Sequence, residues 1–297
     1  MNKMMIFYRE VLKESISKFL NEEMTTHAAA LSYYMIFSLP SMLLIILWTA
    51  SGFYGEVAVH KAIFAEFGAM VGEVGAQQVM ATLEKLNIQE TNWWATTAGL
   101  LVLFLFATTV FDAMRTSLNR LAQVKTTDSV GLGIWLLIRI RGIAFALLVG
   151  ISFLLVVFMG LDALITQIDT YLAQWLGGLT SYVLAIDAFV LQIGITTVLF
   201  AFYFRYLPDI RLKWRDTWFG ALLTALLYEM GKYLISFFIG NSEVANLYDA
   251  AGSILVLMLW VYYAAAIFLF GAAFTFTRAS LLNNERTGEE VYRDHAS

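Results

Sequence analysis

Apolar residues gather in six long windows, 31–53, 93–112, 142–161, 183–204, 217–239 and 253–277, with few charged positions inside them. A helix needs about 20 apolar residues to cross about 30 Å of hydrocarbon, and each window has that length. The pattern predicts an all-α polytopic membrane protein with six transmembrane helices. These spans and their connections use up most of residues 1–297, so a single integral-membrane domain is expected, with no room for a separate soluble catalytic module.

Two segments outside the windows have a pattern of their own. Met5, Tyr8, Leu12, Ile16 and Phe19 recur at helical spacing between Lys and Glu residues, which predicts an amphipathic N-terminal helix rather than the unbroken apolar run of a cleaved signal. Two placements fit it: flat on the inner leaflet, or packed beneath the bundle. Between the first two windows, stretches 56–67 and 76–88 flank Gly68, Gly72 and Gly75 and predict a short helical outer loop. Its acids, Glu56, Glu66, Glu73, Glu84 and Glu90, suit either a cap over an outward-facing cavity or a solvated connector.

Composition agrees with the windows: 60% of residues are hydrophobic and 14% charged, where soluble domains carry about 25% charged residues. The distribution of the cations orients the chain. Lys3, Arg9, Lys13 and Lys18 precede the first window; Arg115, Arg120, Lys125, Arg139 and Arg141 follow the second. Arg205, Arg211, Lys213 and Arg215 follow the fourth, and Arg278, Arg286 and Arg293 the sixth. The first loop has only Lys61 and Lys85, and the third and fifth have no Lys or Arg. By the positive-inside rule both termini are cytoplasmic.

Several separated motifs resemble the YihY/BrkB family of bacterial inner-membrane proteins. They are AAALSYYMIFSLPSMLLIIL at the first window, SLNRLAQVK after the second, FRYLPDIRLKWRDTWFGALLTALLYEMGKYL entering the fifth and NLYDAAGSILVLMLWVYYAAAIFLFGAAFT at the sixth. The resemblance covers about residues 15 to 280, in the family's order. It implies a multi-pass protein of the bacterial inner membrane with six spans. Members have been described as a tRNA-processing ribonuclease and as a serum-resistance factor, so it implies no settled activity. The chain departs from the family pattern at Asp249, where the resemblance leads one to expect Gly, and at Ala273, where it leads one to expect Glu.

The candidate site centres on Glu229 and Lys232, inside the fifth window and one helical turn apart. Each costs about 2.5 to 3.5 kcal/mol to insert, so both are expected to face protein or water and to pair. Thr217, Ala221 and Ala225 lead at four-residue steps to Glu229, placing it on a face that another helix can approach closely. The pair is either structural glue or a substrate or proton site. Asp187 lies near the outer end of the fourth window, at headgroup level or in a cavity. Tyr262 and Tyr263 sit deeper in the sixth window than an aromatic belt requires, which makes them cavity liners or packing residues. Pro40 removes a backbone hydrogen bond within the first window and is a candidate hinge, with Ser38 and Ser41 beside it. Asp112 and Arg115 are spaced as a boundary ion pair, and Gly142, Ala146 and Gly150 as a helix contact.

Several chemistries are excluded. Without cysteine there is no disulfide, thiolate metal site or thiol nucleophile, and His27, His60 and His295 are too scattered for a metal cluster, so neither metal nor cofactor is expected. No GxSxG, HExxH, GxxxxGK[ST] or GxGxxG motif occurs, and a ribonuclease has no residue to rest on. The basic loop RYLPDIRLKWRD is too short for a nucleic-acid interface, though it can meet anionic headgroups. Membrane lipids are therefore the expected partners, with an amphipathic or anionic small molecule as a candidate substrate. The leading expectation is a transporter or flippase-like carrier of an amphipathic or lipid-derived solute. The alternatives are a non-transporting membrane scaffold or envelope-integrity factor and, more remotely, a lipid enzyme.

Overall fold

Long apolar windows can bury their backbone polar groups only by coiling, and every element among the described residues is a helix or a turn. The computed structural model describes residues 3–65, 68, 76, 77, 80, 109–124, 142, 146, 150, 180–210, 212–241 and 249–294. Five long helices run α1 (Lys3–Asn21), α2 (Met24–Tyr54), α3 (Thr180–Tyr206), α4 (Trp214–Asn241) and α5 (Asp249–Asp294). Shorter helical segments cover 56–65 and 109–121. The first, fourth, fifth and sixth windows fall inside α2, α3, α4 and α5. Windows 93–112 and 142–161 lie outside the described residues, apart from 109–112 and positions 142, 146 and 150, as does most of the 76–88 stretch. Among the described residues, Leu257–Asn283 within α5 is long and apolar enough to cross a membrane, with mean hydropathy 2.0.

α5 is the central helix and packs against each of the other four. The core around it gathers Met24, Leu31, Leu118, Phe204 and Leu269 from four different segments. Phe268 is its aromatic hub, with ring centroids 5.4 Å from Phe204 and 5.9 Å from Tyr203. A smaller core joins Leu43, Leu47 and Ala50 of α2 to Val59 and Ile63, after Gly55 turns the chain at φ 80°.

The closest approach is between α4 and α5. A Cβ at Gly220 would collide with Thr275 Oγ1, one at Gly271 with Thr224 Oγ1, and one at Gly231 with the Tyr263 ring. As the position on α4 rises through 220, 224 and 231, its partner on α5 falls through 275, 271 and 263, so the two helices are antiparallel and in a fixed register. Each threonine satisfies its hydroxyl on its own helix: Thr224 Oγ1 donates to the Gly220 carbonyl and Thr275 Oγ1 to the Gly271 carbonyl, both at 2.7 Å. Back-bonded in this way, a threonine can enter a dry interface without stranding a donor.

α1 uses two faces. Val11 and Ser15 are buried and Phe19 meets Phe270 edge-on at 6.0 Å, while Met5, Leu12 and Ile16 remain exposed. The apolar set read from the sequence is thus divided between the bundle and the outside. Gly142, Ala146 and Gly150 are exposed, and no heavy atom of the described residues lies within 4 Å of a Cβ at either glycine, so among the described residues this row does not form the expected helix contact.

The interlock has a direct test. Gly271→Ala should destabilise the protein by about 1–3 kcal/mol, the usual cost of overpacking. Adding Thr224→Ala, which removes the nearest colliding atom, should recover part of that loss in thermal unfolding. Losses that simply add would show that the two helices are not interlocked there.

Candidate functional site

Glu229 follows Thr217, Ala221 and Ala225 along the buried face of α4, and all four are nearly or wholly inaccessible. Lys232 Nζ lies 3.3 Å from Glu229 Oε2, so the helical spacing does bring the pair together. The partners differ in exposure, 3% for the Glu229 side chain and 22% for that of Lys232. Glu229 Oε1 has no hydrogen-bond partner among the described residues. A carboxylate so placed keeps one oxygen in an ion pair and offers the other to a proton or a donor group. The Lys232 ammonium also stands 5.8 Å from the centre of the Tyr228 ring, within cation–π range. Tyr228 is in turn held edge-on by Phe200 and Trp260.

Among the other predicted residues whose side chains are described, Tyr263 packs close to this turn of α4. Its ring lies against Gly231 and its hydroxyl donates weakly to the Leu227 carbonyl at 3.5 Å. Tyr262 is half-buried against the main core. α2 runs unbroken across Pro40, and Ser38 Oγ donates to the Met35 carbonyl at 3.2 Å. The side chains of Pro40 and Asp187 lie outside the described residues.

A second cluster, which sequence reasoning missed, gathers charges from four segments. Arg115 pairs with Asp209 beyond α3, at 2.7 and 2.9 Å to its two oxygens, instead of forming the expected pair with Asp112. Asn119 binds the same residue reciprocally, donating to Asp209 Oδ2 at 2.6 Å and accepting from its backbone N–H at 2.8 Å. Arg120 reaches Glu22 at 3.3 Å and His27 Nε2 at 3.3 Å. Arg278 of α5 forms a buried ion pair with Asp216 of α4 at 2.7 Å and stacks over Phe219. The only sequence signal for these pairs was the coincidence of acids with the basic segments.

The described helices and the buried ion pair fit a helical membrane protein, and the comparisons give its family. The virulence factor BrkB family matches residues 15–295, and the chain belongs to that family. A UPF0761 membrane protein of Pseudoalteromonas translucida is 22% identical over 88% of this chain and 83% of its own length. Another, from Alcanivorax borkumensis, is 24% identical over 91% of this chain and 59% of its own length. A local match at 35% identity links the chain to a UPF0761 membrane protein of Idiomarina loihiensis, over 32% of this chain and 34% of the relative. With the relative from Verminephrobacter eiseniae the match covers only 22% of that protein's length. No solved structure matches the chain.

His27 gives the charged cluster a pH dependence. Arg120 can only donate, so Nε2 accepts and Nδ1–H donates to Ser117 Oγ at 2.9 Å, and that hydroxyl donates to the Ala113 carbonyl. Burial holds the imidazole below its ordinary pKa and the Arg120 guanidinium pushes the same way, against Glu23 and Glu22. The unfolded chain therefore takes up this proton more readily than the folded one, and stability is lost as pH falls below about 6.5 toward the folded value. Thermal stability should drop on acidification from about pH 7 to about pH 5.5, and less steeply in His27→Gln. An unchanged slope in that variant would assign the effect to another group.

Proposed function

We propose that the chain is a non-enzymatic, six-span carrier of the bacterial inner membrane. It moves an amphipathic or lipid-derived solute past Glu229 and Lys232, with both termini in the cytoplasm. The observation that carries this reading is the Oε1 of a 3% exposed Glu229, without a partner among the described residues, while its other oxygen already holds Lys232. A purely structural pair gains by satisfying every buried lone pair, and leaving one open costs about 1–3 kcal/mol. Such a cost is intelligible where a proton or a cationic group of the solute takes that position. Pro40 supplies a place where α2 can bend, and Tyr263, Tyr262 and Asp187 are the accompanying polar side chains of the proposed path.

The topology draws support from the charged cluster. Four segments that the positive-inside rule puts on one side are tied together in pairs by Arg120–Glu22, Arg115–Asp209 and Arg278–Asp216. Exposed Trp214, Trp218 and Tyr206, with Arg205 stacked on Trp214, suit a membrane–water boundary at the same end. A second reading, a non-transporting scaffold, is favoured by the tight α4–α5 interlock on which the pair is mounted.

Reconstitution separates the two. In liposomes the protein should accelerate transbilayer movement of a fluorescent phospholipid probe, and Glu229→Gln should abolish this at equal incorporation. No acceleration by the wild-type protein favours the scaffold, and acceleration that survives Glu229→Gln means that the path does not use Glu229. The natural lack of cysteine also allows single-Cys labelling in intact cells, where an impermeant reagent should reach a Cys at Thr180 or Asn246 but not at Asn283. Labelling at Asn283 would reverse the orientation.

A further inference from the structure

At the charged end of the bundle, α1, the turn at Gln123 and α5 surround an open cavity of about 310 Å³. Among the described residues its wall carries one cation, Lys18, and two carboxylates, Glu14 and Glu22. A ligand that answers both signs brings a positive and a negative group of its own. Among the described residues no aromatic side chain lines the cavity, which gives no cage for a quaternary ammonium there. A primary ammonium, with N–H groups to donate to carboxylates, suits it instead.

The opposite pole of the ligand has to accept hydrogen bonds from Lys18 and from the hydroxyls of Ser280 and Thr277. Thr277 is 4% exposed and its Oγ1 has no partner among the described residues, the kind of buried donor that a ligand oxygen satisfies. Phosphate oxygens are the strongest small acceptors for such a set. Burial lowers the Lys18 pKa while Glu22 and Glu14 raise it, so these acids help to keep the ammonium charged.

We propose that this cavity binds a phosphoethanolamine group, with phosphate against Lys18, Thr277 and Ser280 and the primary ammonium against Glu14 and Glu22. The site is separate from Glu229 and Lys232, and its membrane level rests on the topology given above. An ethanolamine phospholipid of the inner leaflet is the favoured source. Met5, Leu12, Ile16 and Leu20 form an exposed apolar stripe on α1, with Arg9 and Lys13 beside it, as on a helix that lies among headgroups.

Native mass spectrometry of the full-length protein with equal amounts of dioleoyl phosphatidylethanolamine and dioleoyl phosphatidylcholine tests the site. The ethanolamine lipid should be retained about tenfold better, the scale of one charge-assisted hydrogen bond. Glu14→Gln should erase the preference, whereas Lys18→Gln should weaken retention of both lipids, which share the phosphate, and Lys18→Arg should keep it, all at unchanged melting temperature. Displacement of the lipid by free phosphoethanolamine would keep the recognition chemistry and make a soluble compound a competing occupant. Equal retention of both lipids with no thermal shift on adding free phosphoethanolamine overturns the proposal, and so does a preference that survives Glu14→Gln or a retention of both lipids that Lys18→Gln leaves unchanged. Glu229→Gln should leave retention unaltered, so a failure of this site and a failure of the carrier reading are told apart.

Discussion

The glycine–threonine interlock of α4 and α5 is the constraint on which the rest of the arrangement depends. Gly220 and Gly271 each admit a threonine from the opposite helix, and Gly231 admits the Tyr263 ring, so neither helix can slide without a collision. Because both threonines bond back to their own helix, the close approach leaves no hydroxyl unsatisfied. Lipid tails are as apolar as leucine, so close packing of this kind is what holds helices together inside a bilayer. One consequence is positional: the interlock fixes the rotation of α4, and that rotation turns Thr217, Ala221, Ala225 and Glu229 inward.

At the other extreme of polarity, the same two helices are joined by Arg278 and Asp216. The pair is nearly inaccessible, with the guanidinium over Phe219, and Arg278 Nε is without a partner among the described residues. Removing either residue would leave a buried charge alone, which costs about 3–5 kcal/mol, whereas an isosteric apolar pair would cost little. Such a pair fixes register more than it adds stability. Arg115, Asn119 and Asp209, and Arg120 with Glu22 and His27, do the same for the segments around the pair, in geometries open enough for pH and salt to act on them.

Much of this was legible in the sequence. Window length and composition fixed the helical character, and a three-residue spacing put Glu229 beside Lys232, because local geometry needs no knowledge of tertiary neighbours. The small-residue steps before Glu229 identified the buried face for the same reason. Partner choice was not legible. Arg115 has Asp112 three residues away and yet reaches Asp209, ninety-four residues on, because the fold presents a carboxylate from the following loop with both oxygens accessible. Gly142, Ala146 and Gly150 have the spacing of a helix contact and are exposed, while among the described residues Gly220, Gly231 and Gly271 make the close contacts. Small residues permit an approach, but the sequence does not say which approach is used.

The interlock and the Glu229–Lys232 pair together define a carboxylate held in place with one oxygen committed and the other without a partner among the described residues. A double-mutant cycle on Glu229→Ala and Lys232→Ala, read by thermal unfolding and by probe movement in liposomes, tests that arrangement most directly. The account predicts that either single change harms more than the double, with a coupling of about 1–3 kcal/mol in stability. It also predicts that probe movement is lost in every variant without Glu229. Additive effects on stability, with movement retained in Glu229→Ala, would contradict it.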